Sequence, residues 1–105
     1  SISEDSTAKV SNNKIREVYP INVVVKKGNT YINDEEKIVI AVNDIDVYGK
    51  CNLVLSIGNN KNEDYKNVKV GKIFTYSIKN RKLNVTLSKT DFISSNATFH
   101  ITKEN

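Results

Sequence analysis

Residues 70–103 read VGKIFTYSIKNRKLNVTLSKTDFISSNATFHITK, and within them apolar side chains recur at every second position in three successive runs. Phe74, Tyr76 and Ile78 share one parity, with Thr75 and Ser77 between them. Leu83, Val85 and Leu87 alternate with Asn84, Thr86 and Ser88, and Ala97, Phe99 and Ile101 alternate with Thr98, His100 and Thr102. A period of two belongs to a half-buried strand, because successive side chains leave opposite faces of a pleated ribbon. The three runs therefore predict a C-terminal three-stranded meander.

Register follows from the same pattern, since a slip of one residue would carry a whole apolar set to solvent. Placing Ile78 opposite Leu83, Tyr76 opposite Val85 and Phe74 opposite Leu87 superposes the apolar faces across a two-residue turn at Asn80-Arg81. Placing Leu87 by Ala97, Val85 by Phe99 and Leu83 by Ile101 leaves residues 89–95 as the next connection. Phe92 and Ile93 inside it are expected to fold over one end of the core as a plug.

The earlier part of the chain repeats the β signal. Ile21, Val23 and Val25 share a parity and stop at Lys27-Gly28-Asn29, a turn signal. Tyr31 and Ile32 make a short extended piece before the acidic turn at residues 33–36. Residues 37–43, KIVIAVN, place Ile38, Ile40 and Val42 on one face and Val39 and Ala41 on the other, so this strand is expected to be buried on both sides and central. Residues 51–57 pair with it, Val42 to Leu53, Ile40 to Leu55 and Ile38 to Ile57. Residues 58–67, GNNKNEDYKN, are too rich in Asn and charge to read as a strand and are expected to be a mobile loop, with a short strand at 68–70 broken by Gly71.

The chain predicts an all-β fold, a small antiparallel β-sandwich of about six or seven strands, with no convincing helix and no internal repeat of fixed period. Its 105 residues suit one domain. Residues 1–13 read as a flexible N-terminal tether and 14–105 as a single sandwich domain.

Composition narrows the function classes. The net charge of +4 comes mainly from lysines in turns and at strand ends, where they solvate and protect sheet edges. One cysteine, Cys51, excludes an internal disulfide, and its parity with Leu53, Leu55 and Ile57 predicts a small buried thiol. No apolar run approaches membrane-spanning length. The opening SISEDSTAKVSNNK has the character of a segment left by removal of a signal peptide or lipoprotein anchor, or by truncation. With the Lys/Asn-rich meander it resembles small extracytoplasmic bacterial β-domains in general terms. A periplasmic, surface-anchored or secreted protein is expected.

Chemistry-bearing patterns are sparse. Asp44 and Asp46 begin a calcium-like spacing, but Tyr48 and Leu55 stand where an EF-hand needs oxygen ligands. A single His and a single Cys in different elements do not make a zinc site. His100 falls on the polar face with Thr98 and Thr102, and no nucleophile elbow, phosphate-cradling glycine loop or dinucleotide fingerprint occurs. No catalytic residue, metal site or cofactor is expected, and the chain does not read as an enzyme.

Phe74, Tyr76 and Phe99 lie on the core parity, whereas Tyr48 and Tyr65 fall in predicted loops beside Lys50 and Lys66. Tyrosine buries a large rigid surface at interfaces while keeping a hydroxyl to bond. Tyr48, Lys50, Tyr65 and Lys66 are thus the expected partner-binding residues, using loops or an open strand edge. The expected function is a non-enzymatic protein-binding module, such as an inhibitor, an immunity or exclusion factor, or a surface or secretion-apparatus subunit. Its partner is another protein, with no nucleic acid expected and membrane contact only through an N-terminal anchor. The alternative is a small OB-like barrel binding single-stranded nucleic acid through Lys and Tyr.

Overall fold

The computed structural model describes residues 18–58 and 61–104, so the expected tether lies outside the described residues. Eight strands follow in order: β1 (Ile21–Lys26), β2 (Thr30–Asn33), β3 (Ile38–Ile45), β4 (Cys51–Ile57), β5 (Glu63–Val68), β6 (Ile73–Ile78), β7 (Arg81–Asp91) and β8 (Asn96–Glu104). They form two four-stranded antiparallel sheets, β1-β8-β7-β6 and β2-β3-β4-β5. The sheets stack with β3 against β8 and β1 against β2 and β3. Their inner faces supply the core, in which Ile38, Ile40, Leu55, Leu83, Val85, Phe99 and Ile101 are completely buried. A sandwich of this kind follows from alternation, since each strand offers one apolar face and two such faces exclude water only against each other.

The eighth strand is β5, which occupies the second half of the polar run expected to be a loop. Only Val68 is buried in it and Tyr65 half-buried, while Glu63, Asp64, Lys66 and Asn67 face solvent. An edge strand needs few apolar residues, because one side of its backbone is unpaired and one of its faces is open. Tertiary pairing with β4 overrides the low intrinsic preference of Asn and acidic residues for strands. The β3–β4 register is the one the alternation predicts, with Ile38 opposite Ile57, Ile40 opposite Leu55 and Val42 opposite Leu53. β3 is central in its sheet, yet Val39 and Ala41 on its outer face are only half-buried.

Both registers expected for the meander are displaced by two residues. Phe74 pairs with Val85 and Tyr76 with Leu83, and Leu87 pairs with Phe99 and Val85 with Ile101. A shift of two preserves every inward-facing residue, so alternation cannot detect it, and the turns decide instead. Lys79 takes the left-handed conformation (φ 52°), which moves the β6–β7 turn to Lys79-Asn80 and frees Arg81 to open β7. In the next turn Asp91 Oδ1 accepts the amides of Ile93 (3.0 Å) and Ser94 (3.2 Å), and Ser95 is left-handed (φ 57°). β7 therefore runs on to Asp91, past a bulge between Leu87 and Lys89, and the connection shrinks to residues 92–95. The expected plug does not form: Phe92 is 48% and Ile93 92% exposed, because the shorter turn leaves them beyond the end of the sandwich.

The two halves of the chain repeat one plan, although the sequence displays no fixed period. In the first, the β1–β2 turn bonds to β3, Gly28 N donating to Val42 O (2.7 Å) and Val42 N to Asn29 O (3.3 Å). In the second, the β5–β6 turn bonds to β7, Gly71 N donating to Leu87 O (2.7 Å) and Leu87 N to Lys72 O (3.0 Å). Val42 and Leu87 each precede a bulge, and the turns that follow each begin with an aspartate, Asp46 and Asp91. The first strand of each half crosses to the other sheet, β1 pairing with β8 and β5 with β4. Spacing between equivalent residues drifts along the chain, which hides the repeat from a search for a constant period.

At the end of the sandwich away from those bulges, one polar cluster joins the sheets. Tyr19 donates to Glu36 Oε1 at 2.6 Å, and Arg81 Nη1 reaches the same oxygen at 2.7 Å. Arg81 Nη2 also donates to the Glu36 carbonyl at 3.3 Å, and Lys103 Nζ lies 5.6 Å from the Tyr19 ring centre. Burial alone would raise the Glu36 carboxyl, but the hydrogen bonds from Tyr19 and Arg81 outweigh it and hold the carboxyl below the ordinary value of 4.5.

Two stability measurements test this architecture. Gly28 (φ 86°) and Gly71 (φ 101°) both have open space where a Cβ would stand, so Gly28→Ala and Gly71→Ala report backbone strain alone. Each should lower the unfolding free energy by about 1–2 kcal/mol in urea titration. The depressed Glu36 carboxyl contributes stability that is whole above pH 4.5 and is lost as pH falls through its lower folded value. Glu36→Gln should accordingly cost about 1–2 kcal/mol at neutral pH and flatten the acid limb of the stability profile.

Candidate functional site

Two surfaces bring together residues able to meet a partner. The first is the seam where the edge strands β5 and β6 face each other from different sheets. Tyr65 of β5 packs its ring on Phe74 of β6, centroids 4.4 Å apart and tilted by 47°. Its hydroxyl donates to Glu63 Oε1 at 2.6 Å and lies 3.3 Å from the Tyr76 hydroxyl, which in turn reaches Glu63 Oε1 at 3.3 Å. Burial pushes both phenols above the ordinary value of 10, helped for Tyr65 by its bond to Glu63 against a smaller opposing effect of Tyr76, and for Tyr76 by its bonds to Tyr65 and Glu63, so both remain protonated donors.

Around this latch runs a groove in two continuous parts. One, of about 480 Å³, is lined by Tyr65, Lys66, Val68, Lys69, Lys72 and Phe74. The other, of about 600 Å³, is lined by Glu63, Tyr65, Ile73, Thr75 and Tyr76. Lys72 Nζ lies 5.7 Å from the centre of the Phe74 ring. The outer edge of β6 belongs to the same surface. Leu87 engages the β5–β6 turn with both its N–H and its carbonyl, so by the alternation of an antiparallel ladder Val85 and Leu83 bond to Phe74 and Tyr76. The backbone groups of Ile73, Thr75 and Ser77 are left pointing outward. β6 reads IFTYSI, with no charge or proline to blunt that edge.

The second surface is an apex built from the β3–β4 and β7–β8 turns. Asp46 Oδ1 accepts the amides of Tyr48 and Lys50, both at 2.9 Å, in the same manner as Asp91 in the other turn. Thr90 Oγ1 donates to the Gly49 carbonyl at 2.9 Å and ties the two turns together. Gly49 is required at this contact, since its φ is 82° and a Cβ would lie 2.8 Å from Thr90 Oγ1. The turns project Val47 and Tyr48, 63% and 84% exposed, beside Phe92 and Ile93.

The four expected partner-binding residues thus separate into two pairs. Tyr48 and Lys50 belong to the apex, and Tyr65 and Lys66 to the seam, Tyr65 standing in a strand rather than in a loop. No hydrogen bond or ring contact joins Tyr48 to Tyr65 among the described residues. Sequence reasoning missed Val47, Phe92 and Ile93 at the apex, and Glu63 and Tyr76 at the seam. A signal for the apex was present: Asp46-Val47-Tyr48 and Asp91-Phe92-Ile93 share an aspartate followed by two large apolar or aromatic residues.

The remaining reactive groups are engaged structurally. Cys51 is completely buried, and burial, with a smaller effect from Asp44, pushes its thiol up to about 11. His100 Nδ1 lies 2.7 Å from Asn22 Oδ1 on the outer face of the β1–β8 pair. Asp44 pairs with Lys27 at 3.5 Å, and Asp46 closes its own turn. Among the described residues no three of His, Cys, Asp and Glu gather closely enough to hold a metal ion. Phe74 and Phe99 are buried, so neither offers a face for stacking bases.

Fold and surfaces define a class, an eight-stranded antiparallel β-sandwich with exchanged edge strands. Compared with protein-family models, curated proteins and solved structures, the chain matches none.

The seam latch has an alkaline signature. A phenol raised in the folded state contributes stability that is present below pH 10 and lost as pH climbs beyond it. Tyr76→Phe should weaken that alkaline loss, Tyr65 and Tyr19, both also raised by burial and a carboxylate partner, sustaining the rest, and should cost about 0.5–1.5 kcal/mol at neutral pH in denaturant titration.

Proposed function

We propose that this chain is a non-catalytic protein-binding module, of the extracytoplasmic kind to which its composition points, and that it takes an extended segment of its partner onto the open edge of β6. The observation that supports this reading is the unblunted outer edge of IFTYSI, presented beside a groove lined by both tyrosines and lysines. Strand addition draws affinity from main-chain hydrogen bonds and specificity from side-chain pockets at alternate positions. Ile73, Thr75 and Ser77 supply the main-chain groups. Tyr65 and Tyr76 form a rigid wall, since their hydroxyls are already bonded to Glu63 and lose little freedom when covered.

Charge selects the incoming segment. Lys66 and Lys69 line one part of the groove, Glu63 the other, and Lys72 borders both. A segment with carboxylates at the lysine end and small or cationic residues near Glu63 is complementary to both.

Display of a random-peptide library against the protein should enrich segments alternating apolar and polar residues with acidic residues clustered at one end. Thr75→Pro removes one outward N–H at a position where an edge strand tolerates proline. It should leave the urea midpoint within the range of other surface changes and lower affinity for the enriched peptides about tenfold or more. Failure to enrich any such peptide, or equal binding by the proline variant, would show that the β6 edge is not the binding surface.

A further inference from the structure

The formal charge of the molecule is concentrated at one end. Lys26 and Lys27 of the β1–β2 turn, Lys50 of the β3–β4 turn, Lys66, Lys69 and Lys72 at the β5–β6 corner, and Lys89 of β7 all lie in the half nearest the apex. Among the described residues they face only Asp44, Asp46 and Asp91, seven cations against three carboxylates and a balance of +4. In the other half of the described residues six cations meet six carboxylates, so that half is neutral. Two of the three apex aspartates already accept backbone amides within their own turns, and the third pairs with Lys27.

Inside this collar of lysines stand Val47, Tyr48, Phe92 and Ile93, four large apolar or aromatic side chains on two turns locked together through Thr90 and Gly49. Val70, 51% exposed at the β5–β6 corner, adds an apolar side chain to the same half. Lysine is depleted from the fully desolvated centre of a protein interface but not from its solvated rim. A convex apolar tip with a lysine rim suits a lipid surface. The tip enters the headgroup region while the ammonium groups remain in water against anionic headgroups.

We propose that the apex docks on an anionic lipid bilayer, Val47, Tyr48, Phe92 and Ile93 entering the interface and the surrounding lysines meeting lipid phosphates. The apolar tip is separate from the β6 edge, although Lys66, Lys69 and Lys72 of the charged half also line the β6 groove, and the module would present that edge to its protein partner while resting on the membrane through the tip, Lys26, Lys27, Lys50 and Lys89.

The chain contains no tryptophan, so a single introduced indole gives an unambiguous signal. Ile93→Trp places it at the apex on a residue that touches none of the core, and Asn62→Trp places it at the opposite end. With vesicles of phosphatidylcholine mixed with phosphatidylglycerol, Ile93→Trp emission should shift to the blue and be quenched by brominated lipid. Phosphatidylcholine alone and the Asn62→Trp protein should give neither effect. Added salt should weaken binding, and Lys50→Glu with Lys89→Glu should lower affinity by at least about 25-fold, roughly fivefold for each lysine. An unmoved Ile93→Trp spectrum with anionic vesicles, or an equal response from Asn62→Trp, would overturn the proposal. So would affinity indifferent to the lysine reversals.

Discussion

Two glycine corners hold this sandwich together. At each, a strand leaves one sheet, turns through a left-handed glycine and bonds across the central strand of the other sheet, Gly28 to Val42 and Gly71 to Leu87. A residue with a Cβ resists that conformation, and nothing nearby compensates the strain. Both corners come next to a bulge, after Val42 and after Leu87, where the central strand changes which residues face inward. Ile45 is buried for that reason although it does not share the parity of Ile38, Ile40 and Val42. Each sheet therefore owes an edge strand to the other half of the chain, and neither half can complete a sheet alone.

The surfaces follow from that exchange. Crossing from β5 to β6 leaves two edge strands side by side without a ladder, closed by the Tyr65, Phe74, Tyr76 and Glu63 contacts. The matching turns after the two bulges emerge at one end, and a hydrogen bond from Thr90 to Gly49 joins them. Exposed apolar residues arise there because each aspartate satisfies the backbone of its own turn, leaving the two residues after it with no structural duty. The opposite end carries the Tyr19, Glu36 and Arg81 cluster, where charge is paired and partly withdrawn from water.

The candidate surfaces were less legible than the strands. Tyr48 and Lys50 could be singled out because a turn rich in Asp and Gly announces itself, and the exposure of Tyr48 follows from it, Lys50 being half-buried. Tyr65 was visible as an aromatic in a polar run, but its ring contact with Phe74 depends on β5 being a strand, which pairing with β4 decides. Phe92 and Ile93 read as a plug because large apolar residues ordinarily return to the core. Their exposure came from a two-residue shift in register that no apolar pattern opposes. The concentration of lysines at one end is invisible along the chain, where they are spread evenly, and becomes visible only when four turns gather.

What the amino-acid order determines unaided is the class of fold, the inward face of nearly every strand and the β3–β4 pairing. A period of two leaves a strand no other way to hide its apolar side chains, and Ile38 through Val42 match Leu53 through Ile57 along their full length. Only the tertiary structure decided the registers of the meander, the eighth strand, the exchange of edge strands and the company each surface residue keeps. Those choices rest on turn conformations at Lys79 and Ser95, on backbone bonds at the two corners and on pairing between segments far apart in the chain. They are long-range or φ-dependent terms to which local alternation is blind.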